Sequence, residues 1–104
     1  MMNTFMLVGR VKEVGEVIET TIGARVTSLI IDVERNFRNE DSSLESDDFQ
    51  VSFWQGMAES VVKHAKVGAL VAVKGRLSAN NYTSKEGKPI YGCNLIAEKL
   101  SYLE

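Results

Sequence analysis

An all-β domain, five strands closing as a small Greek-key barrel with one short helix between the third and fourth strands, is the fold class this sequence predicts. Two observations carry it. Apolar residues recur at alternate positions in five separate stretches, the period of a half-buried strand. One stretch alone changes to helical spacing, at Met57, Ala58, Val61, Val62 and Ala65, and it runs into Gly68, a helix stop.

The totals agree with a single domain over residues 1–104, long enough for one core and too short for two. Apolar content of 44% and charged content of 25% are those of an ordinary soluble globular protein. No run approaches the length of a membrane span, and MMNTFMLVG has no basic region ahead of its apolar residues, so neither a signal peptide nor a transmembrane helix is indicated. A cytoplasmic protein is the expectation.

The first strand covers Thr4 to Val14, with Phe5, Leu7, Gly9 and Val11 on one side and Met6, Val8, Arg10 and Lys12 on the other. The second face is apolar at its start and basic at its end. Met6 and Val8 are therefore expected to meet another subunit, and Arg10 and Lys12 a ligand. Gly9 permits a bend or a close backbone approach. Gly15 to Gly23 reads as a loose hairpin, and Arg25 to Arg35 as a long second strand with Leu29, Ile31 and Val33 inward. The stretch from Asn36 to Asp47 has no apolar period and reads as a mobile loop of about a dozen residues, a length that is usually functional or disordered. Phe37 stands inside it between Arg35 and Arg38, with little core to enter.

In the third strand Phe49, Val51 and Phe53 face one way, while Asp48, Gln50, Ser52 and Trp54 face the other. A Trp on the polar face buries a large ring against something other than its own core. A ligand, the barrel mouth and a subunit interface are the candidates. The helical stripe that follows reads as a cap on the sheet. Ala69 to Leu77 is the fourth strand, with Val71, Val73 and Leu77 inward, Lys74 and Arg76 outward, and Gly75 where the strand coils. Ser78 to Pro89 is a second polar connection that turns at Lys85, Glu86, Gly87 and Lys88, and Tyr82 is isolated among its polar residues. Ile90 to Leu103 is the fifth strand, with a bulge expected near Ala97.

This order of elements is that of the OB-fold, in which the face of strands two and three and the loops beside it bind oligonucleotides or oligosaccharides. A single cysteine, Cys93, excludes an internal disulfide and reads as an inert core thiol. With His64 as the sole histidine, expected solvated at the helix end, no metal-ligand cluster of recognisable spacing exists. No cofactor is implied, and no set of nucleophile, base and orienting residue suggests an enzyme. The net charge of −2 counts mildly against a nucleic-acid binder. The acidic residues, however, gather at Glu40, Asp41, Glu45, Asp47 and Asp48. Outside that run the chain is net basic, with Arg10, Lys12, Arg25, Arg35, Arg38, Lys74, Arg76, Lys85 and Lys88 spread over strands and hairpins.

Over nearly its whole length the chain resembles the bacterial single-stranded DNA-binding protein family. The stretches that carry the likeness are NTFMLVGRV, the strand ending in Arg35-Asn36-Phe37, VSFWQGMAESV leading into KVGALVAVKGRL, and NNYTSKEGKPIY. The resemblance implies sequence-independent binding of single-stranded DNA in replication, recombination or repair, without chemistry and commonly as a homotetramer, a dimer being the other assembly. Bases would stack on Phe37, Trp54 and Tyr82 while Arg10, Lys12, Arg35, Arg38, Lys74, Arg76 and Lys85 follow the backbone. Replication or recombination proteins are the further partners implied. Two departures stand out. Asp48 occupies a position where many relatives carry another stacking aromatic, and Asn80 and Asn81 precede the hairpin aromatic where relatives are often basic. Both imply weaker or more salt-sensitive binding. The chain stops at Glu104, where replicative members continue into a Gly-, Pro- and Gln-rich tail with an acidic tip. A naturally short paralogue and a chain cut from its tail are the two readings of that end. The competing function is a primosomal type of adaptor, in which the barrel serves protein–protein contacts and the acidic run from Glu40 to Asp48 discourages DNA.

Overall fold

The structure, a computed structural model, describes residues 1–38 and 40–104, and the side chains of residues 37 and 38 lie outside that description together with residue 39. Five long strands build a closed barrel. β1 (Phe5–Val14), β3 (Arg25–Arg38), β4 (Leu44–Trp54), β5 (Leu70–Ala79) and β8 (Cys93–Tyr102) are joined in the order β1-β5-β8-β4-β3, and β3 returns to β1 through pairs from Arg10↔Asp32 to Val14↔Leu29. The β4–β8 contact, Val51↔Leu95 and Ser52↔Ile96, is parallel, and the other long pairings are antiparallel. Helix α1 (Gly56–His64) connects β4 to β5. Two short additions complete the described elements. β2 (Ile18–Glu19) lies on the end of β3, and β6 (Tyr82–Thr83) pairs with β7 (Pro89–Ile90) as a separate hairpin. The predicted barrel, its strand order and its single helix are all present.

Closure follows from alternation. Val11, Leu29, Ile31, Val51, Phe53, Val71 and Val73 come from alternate positions of four strands and meet in one buried cluster. Ala58, Val61 and Ala65 close it from the helix side. Among the described residues Phe53 is the largest side chain fully withdrawn from solvent, in a core otherwise aliphatic, and each apolar side chain buried there stabilises the barrel at roughly 25 cal/mol per Å². Two glycines let the barrel be this small. A Cβ on Gly9 would fall on the carbonyl oxygen of Asp32, and one on Gly75 on that of Ile96, so both positions require close backbone approach. The predicted irregularity in the last strand is present, since Lys74↔Lys99 is followed by Gly75↔Ala97 and leaves Glu98 as the extra residue.

Several expectations are corrected, and most for one reason: the strands run past the end of the core. The stretch read as a mobile loop from 36 to 47 is largely strand, with β3 and β4 paired at Val33↔Asp47 and Glu34↔Ser46 and again, past an irregularity in β3, at Arg38↔Leu44. Exposed residues on both faces of this arm erase the apolar period. Leu77, expected inward, is exposed, and so is Cys93, expected in the core. Both have the inward parity, but they lie where β5 and β8 leave the barrel. Val62 is exposed because the buried helical stripe, Ala58–Val61–Ala65, is narrower than the sequence suggested. His64 is exposed, as expected.

Candidate nucleic-acid interface

The outer face of β3 and β4 is built by register. Trp54 lies opposite Val26, Ser52 opposite Ser28, Gln50 opposite Ile30 and Asp48 opposite Asp32. Because Phe53 and Val51 must point into the core, these partners are turned outward. Trp54 is 37% exposed. Its indole Nε1–H donates to the Ser52 hydroxyl at 3.2 Å, and that hydroxyl donates to the Leu95 carbonyl at 3.1 Å. The ring is thereby held along its own strand with part of its surface open.

Two grooves adjoin on this face. One, of about 420 Å³, is lined by Asp48, Gln50, Ser52, Trp54, Asn94 and Leu95 among others, and the second, of about 300 Å³, by Gly15, Ile18, Val26, Ser28, Gln50 and Ser52 among others. Gln50 and Ser52 belong to both, so the grooves form one track across the sheet, from the β1–β2 connection to the start of β8. Such a track suits an extended polymer better than a compact ligand.

Tyr82 stands on the β6–β7 hairpin opposite Ile90 and is 59% exposed. The stem of that hairpin is fixed by Asn80 N and Gly92 O at 3.0 Å, and Gly92 leads directly into Cys93, Asn94 and Leu95, which line the larger groove. The hairpin therefore rises at one end of the track. Tyr91, which was not singled out from the sequence, is 79% exposed on the same hairpin. The signal that could have found it was there: it stands just past Pro89, at the foot of the hairpin rather than inside the fifth strand. Phe37 and Arg38 have side chains outside the described residues, and their backbone belongs to β3.

The basic candidates fall into three groups. Lys12 donates to Asp48 Oδ2 at 2.6 Å, at the far end of the Trp54 groove. Arg35 makes a fork onto both oxygens of Asp47, at 3.1 and 2.9 Å, and a third bond to Glu45 at 2.5 Å. Arg10 is tied to the Gly68 carbonyl at 3.0 Å and to Glu104 at 2.7 Å. Lys74 sits apart from the track, in an apolar groove with Met6, Val8 and Ala72. Arg76, on the outer run of β5, and Lys85, at the hairpin turn, are exposed and have no carboxylate partner among the described residues.

These pairs show in the proton affinities. The hydrogen bond and charge of Asp48 raise the Lys12 ammonium above its usual range, and those of Asp47 raise the Arg35 guanidinium. The Arg35 hydrogen bond in turn holds the Asp47 carboxyl below the ordinary carboxylate range. Asp41 is lowered by its bonds from the Ser43 hydroxyl and backbone N–H. Among the described residues, no three His, Cys, Asp or Glu side chains come together as a metal site, and no helix is long and apolar enough to cross a membrane.

Comparison with known proteins gives a consistent picture. The model of the single-strand binding protein family matches residues 2–103. Single-stranded DNA-binding protein 3 of Streptococcus agalactiae serotype V is 35% identical over 104 residues, which are 100% of this chain and 75% of that protein. Single-stranded DNA-binding protein 3 of Listeria innocua serovar 6a is 36% identical, with 65% of its length covered. The single-stranded DNA-binding protein of Bacillus cereus is 35% identical, with 61% covered.

Proposed function

The chain belongs to the single-strand binding protein family, and from that premise we infer that it binds single-stranded DNA without sequence preference. The observation that carries the reading is the track beside Trp54, with Tyr82 on the hairpin at its end. Bases stack on the open ring faces, and because every base has a π-face the contact tolerates any sequence at ~1–3 kcal/mol per base. Arg76 and Lys85, with no ion pair among the described residues, can meet phosphate without first losing a carboxylate. The assigned set remains Phe37, Trp54, Tyr82, Arg10, Lys12, Arg35, Arg38, Lys74, Arg76 and Lys85, to which Tyr91 is added on its exposure. The protein would cover exposed strands in the cytoplasm during replication, recombination or repair, as an assembly of identical subunits, and it is assigned no reaction.

The test is a titration of Trp54 fluorescence with oligo-dT. Stacking quenches the indole, and the affinity should fall by about 5- to 150-fold for Tyr82→Ala, the equivalent of ~1–3 kcal/mol. For Trp54→Ala, where the intrinsic probe is lost, anisotropy of a labelled strand should show a loss of the same order. Absence of quenching at low salt would return the chain to the adaptor reading.

A further inference from the structure

We propose that Asp48, and in the same manner Asp47 with Glu45, is a built-in competitor for nucleic-acid phosphate, holding Lys12 and Arg35 in ion pairs that a bound strand must exchange. The inference rests on the single-stranded DNA reading and deepens it by naming which side chains set the ionic part of binding.

Asp48 lines the Trp54 groove and at the same time closes on Lys12 at 2.6 Å. The two residues meet because Arg10 of β1 pairs with Asp32 of β3, and Asp32 with Asp48 of β4, which lays the outer faces of three strands side by side. Arg35 is held more completely. Nε and one terminal nitrogen take the two oxygens of Asp47, and the other terminal nitrogen takes Glu45. That fork is the geometry in which a guanidinium would grip a phosphate. Lys12 is 54% and Arg35 38% exposed, so a phosphate can reach both, and surface pairs of this kind are weak enough to exchange.

The consequence lies in the salt dependence. A cation that is free before binding displaces condensed counterions from the strand, and each such contact steepens log K against log salt by ~0.7 on single strands. A cation already neutralised by a carboxylate releases that carboxylate when it takes a phosphate. The carboxylate then gathers a counterion of its own, so the net release is close to nil. Wild-type protein therefore binds with a shallower salt slope than its basic residues would give, so that Asp48 weakens binding without making it more salt-sensitive, and with a larger share of its affinity from stacking.

The experiment measures oligo-dT affinity by Trp54 quenching from low to moderate salt in wild type, Asp48→Asn, the double variant Glu45→Gln with Asp47→Asn, and Glu98→Gln. Glu98 is the exposed bulge residue of β8 and has no ion pair among the described residues, so its variant matches the charge change of Asp48→Asn, and half that of the double variant, without freeing a cation. Asp48→Asn should tighten low-salt binding by ~2- to 5-fold and steepen the slope by ~0.7. The double variant should steepen the slope in the same direction through Arg35; its readout is the slope rather than the affinity, because removing these bridges also loosens the end of the β3–β4 arm. Lys12→Met should cost less in wild type than in the Asp48→Asn background. Slopes for both carboxylate variants equal to that of Glu98→Gln would overturn the proposal while leaving single-stranded DNA binding intact. Failure of wild type to quench would instead overturn the reading beneath it.

Discussion

Trp54 is positioned from both sides, and the residue after it carries a conformational cost. Gln55 has φ 57° and ψ −130°, a region that side chains other than glycine rarely adopt. Such positions cost on the order of 1–3 kcal/mol and persist where the surroundings over-determine them. Here they do: Gln55 N–H donates to the Arg25 carbonyl at 2.8 Å, and the Gln55 carbonyl accepts from Ala58 N–H at 3.0 Å. The turn swings the chain from β4 into α1 while Trp54 stays on the outer face. Gln55→Gly should raise stability by about 1 kcal/mol, the strain relieved less the entropy that glycine adds to the unfolded chain. Urea denaturation measures it, and a lower midpoint would show that the turn is unstrained. At this scale the sequence was informative wherever parity decides, as at Trp54, and silent wherever two distant residues meet. Lys12 and Asp48 lie 36 positions apart, and only closure of β1 onto β3 makes them neighbours.

Among the elements, the β3–β4 arm departs furthest from expectation. It extends beyond the core, so it has no buried face to hold its register, and cross-strand charge takes that role. Arg35 bridges to Glu45 and Asp47 on the opposite strand. Strands that end inside the barrel were legible because one face is buried. The arm was not, since NFRNEDSSLESD has the composition of a loop, and its residues 36 and 40–46 are all exposed. The helix was legible in place and length, its stripe too broad by Val62 alone. A pH dependence follows. The folded Asp47 carboxyl is depressed, so its contribution to the arm is present above the unfolded value and is lost as pH falls through the folded one, below the ordinary carboxylate range. Backbone chemical shifts of Glu34 and Ser46, a register pair, should move toward unpaired values on acidification while those of Val51 and Phe53 hold. Asp47→Asn should produce the same shift at neutral pH. An arm unchanged under both conditions would mean that backbone pairing alone maintains it.

At the scale of the whole molecule, the barrel presents two unlike surfaces, the polar track on β3–β4 and an apolar face on β1–β5. On the latter Met6 is 73% and Val8 52% exposed, beside Ala72 in a groove of about 230 Å³. Residues 5–8 of β1 pair with β5 on one edge and, among the described residues, with no strand on the other. An unpaired strand edge next to exposed apolar side chains is a site for pairing with another chain. A second copy fits it by symmetry, since antiparallel pairing of β1 with its own twofold mate brings Met6 and Val8 of both copies together. Lys74, which the sequence assigned to the strand-binding set, stands on this face, where its long apolar stem can cover the partner's surface. Light scattering should therefore return a multiple of the 11.5 kDa chain mass, and Val8→Asp, which places a carboxylate at the centre of the face, should reduce it at the same concentration. The exposed position keeps the substitution harmless to the core, so an unchanged circular dichroism spectrum with an unchanged mass would locate self-association elsewhere. Because Val8 lies outside both grooves, the variant also separates assembly from stacking: Trp54 should still be quenched by a short oligonucleotide that one barrel can cover, and affinity should be lost progressively on strands long enough to span several.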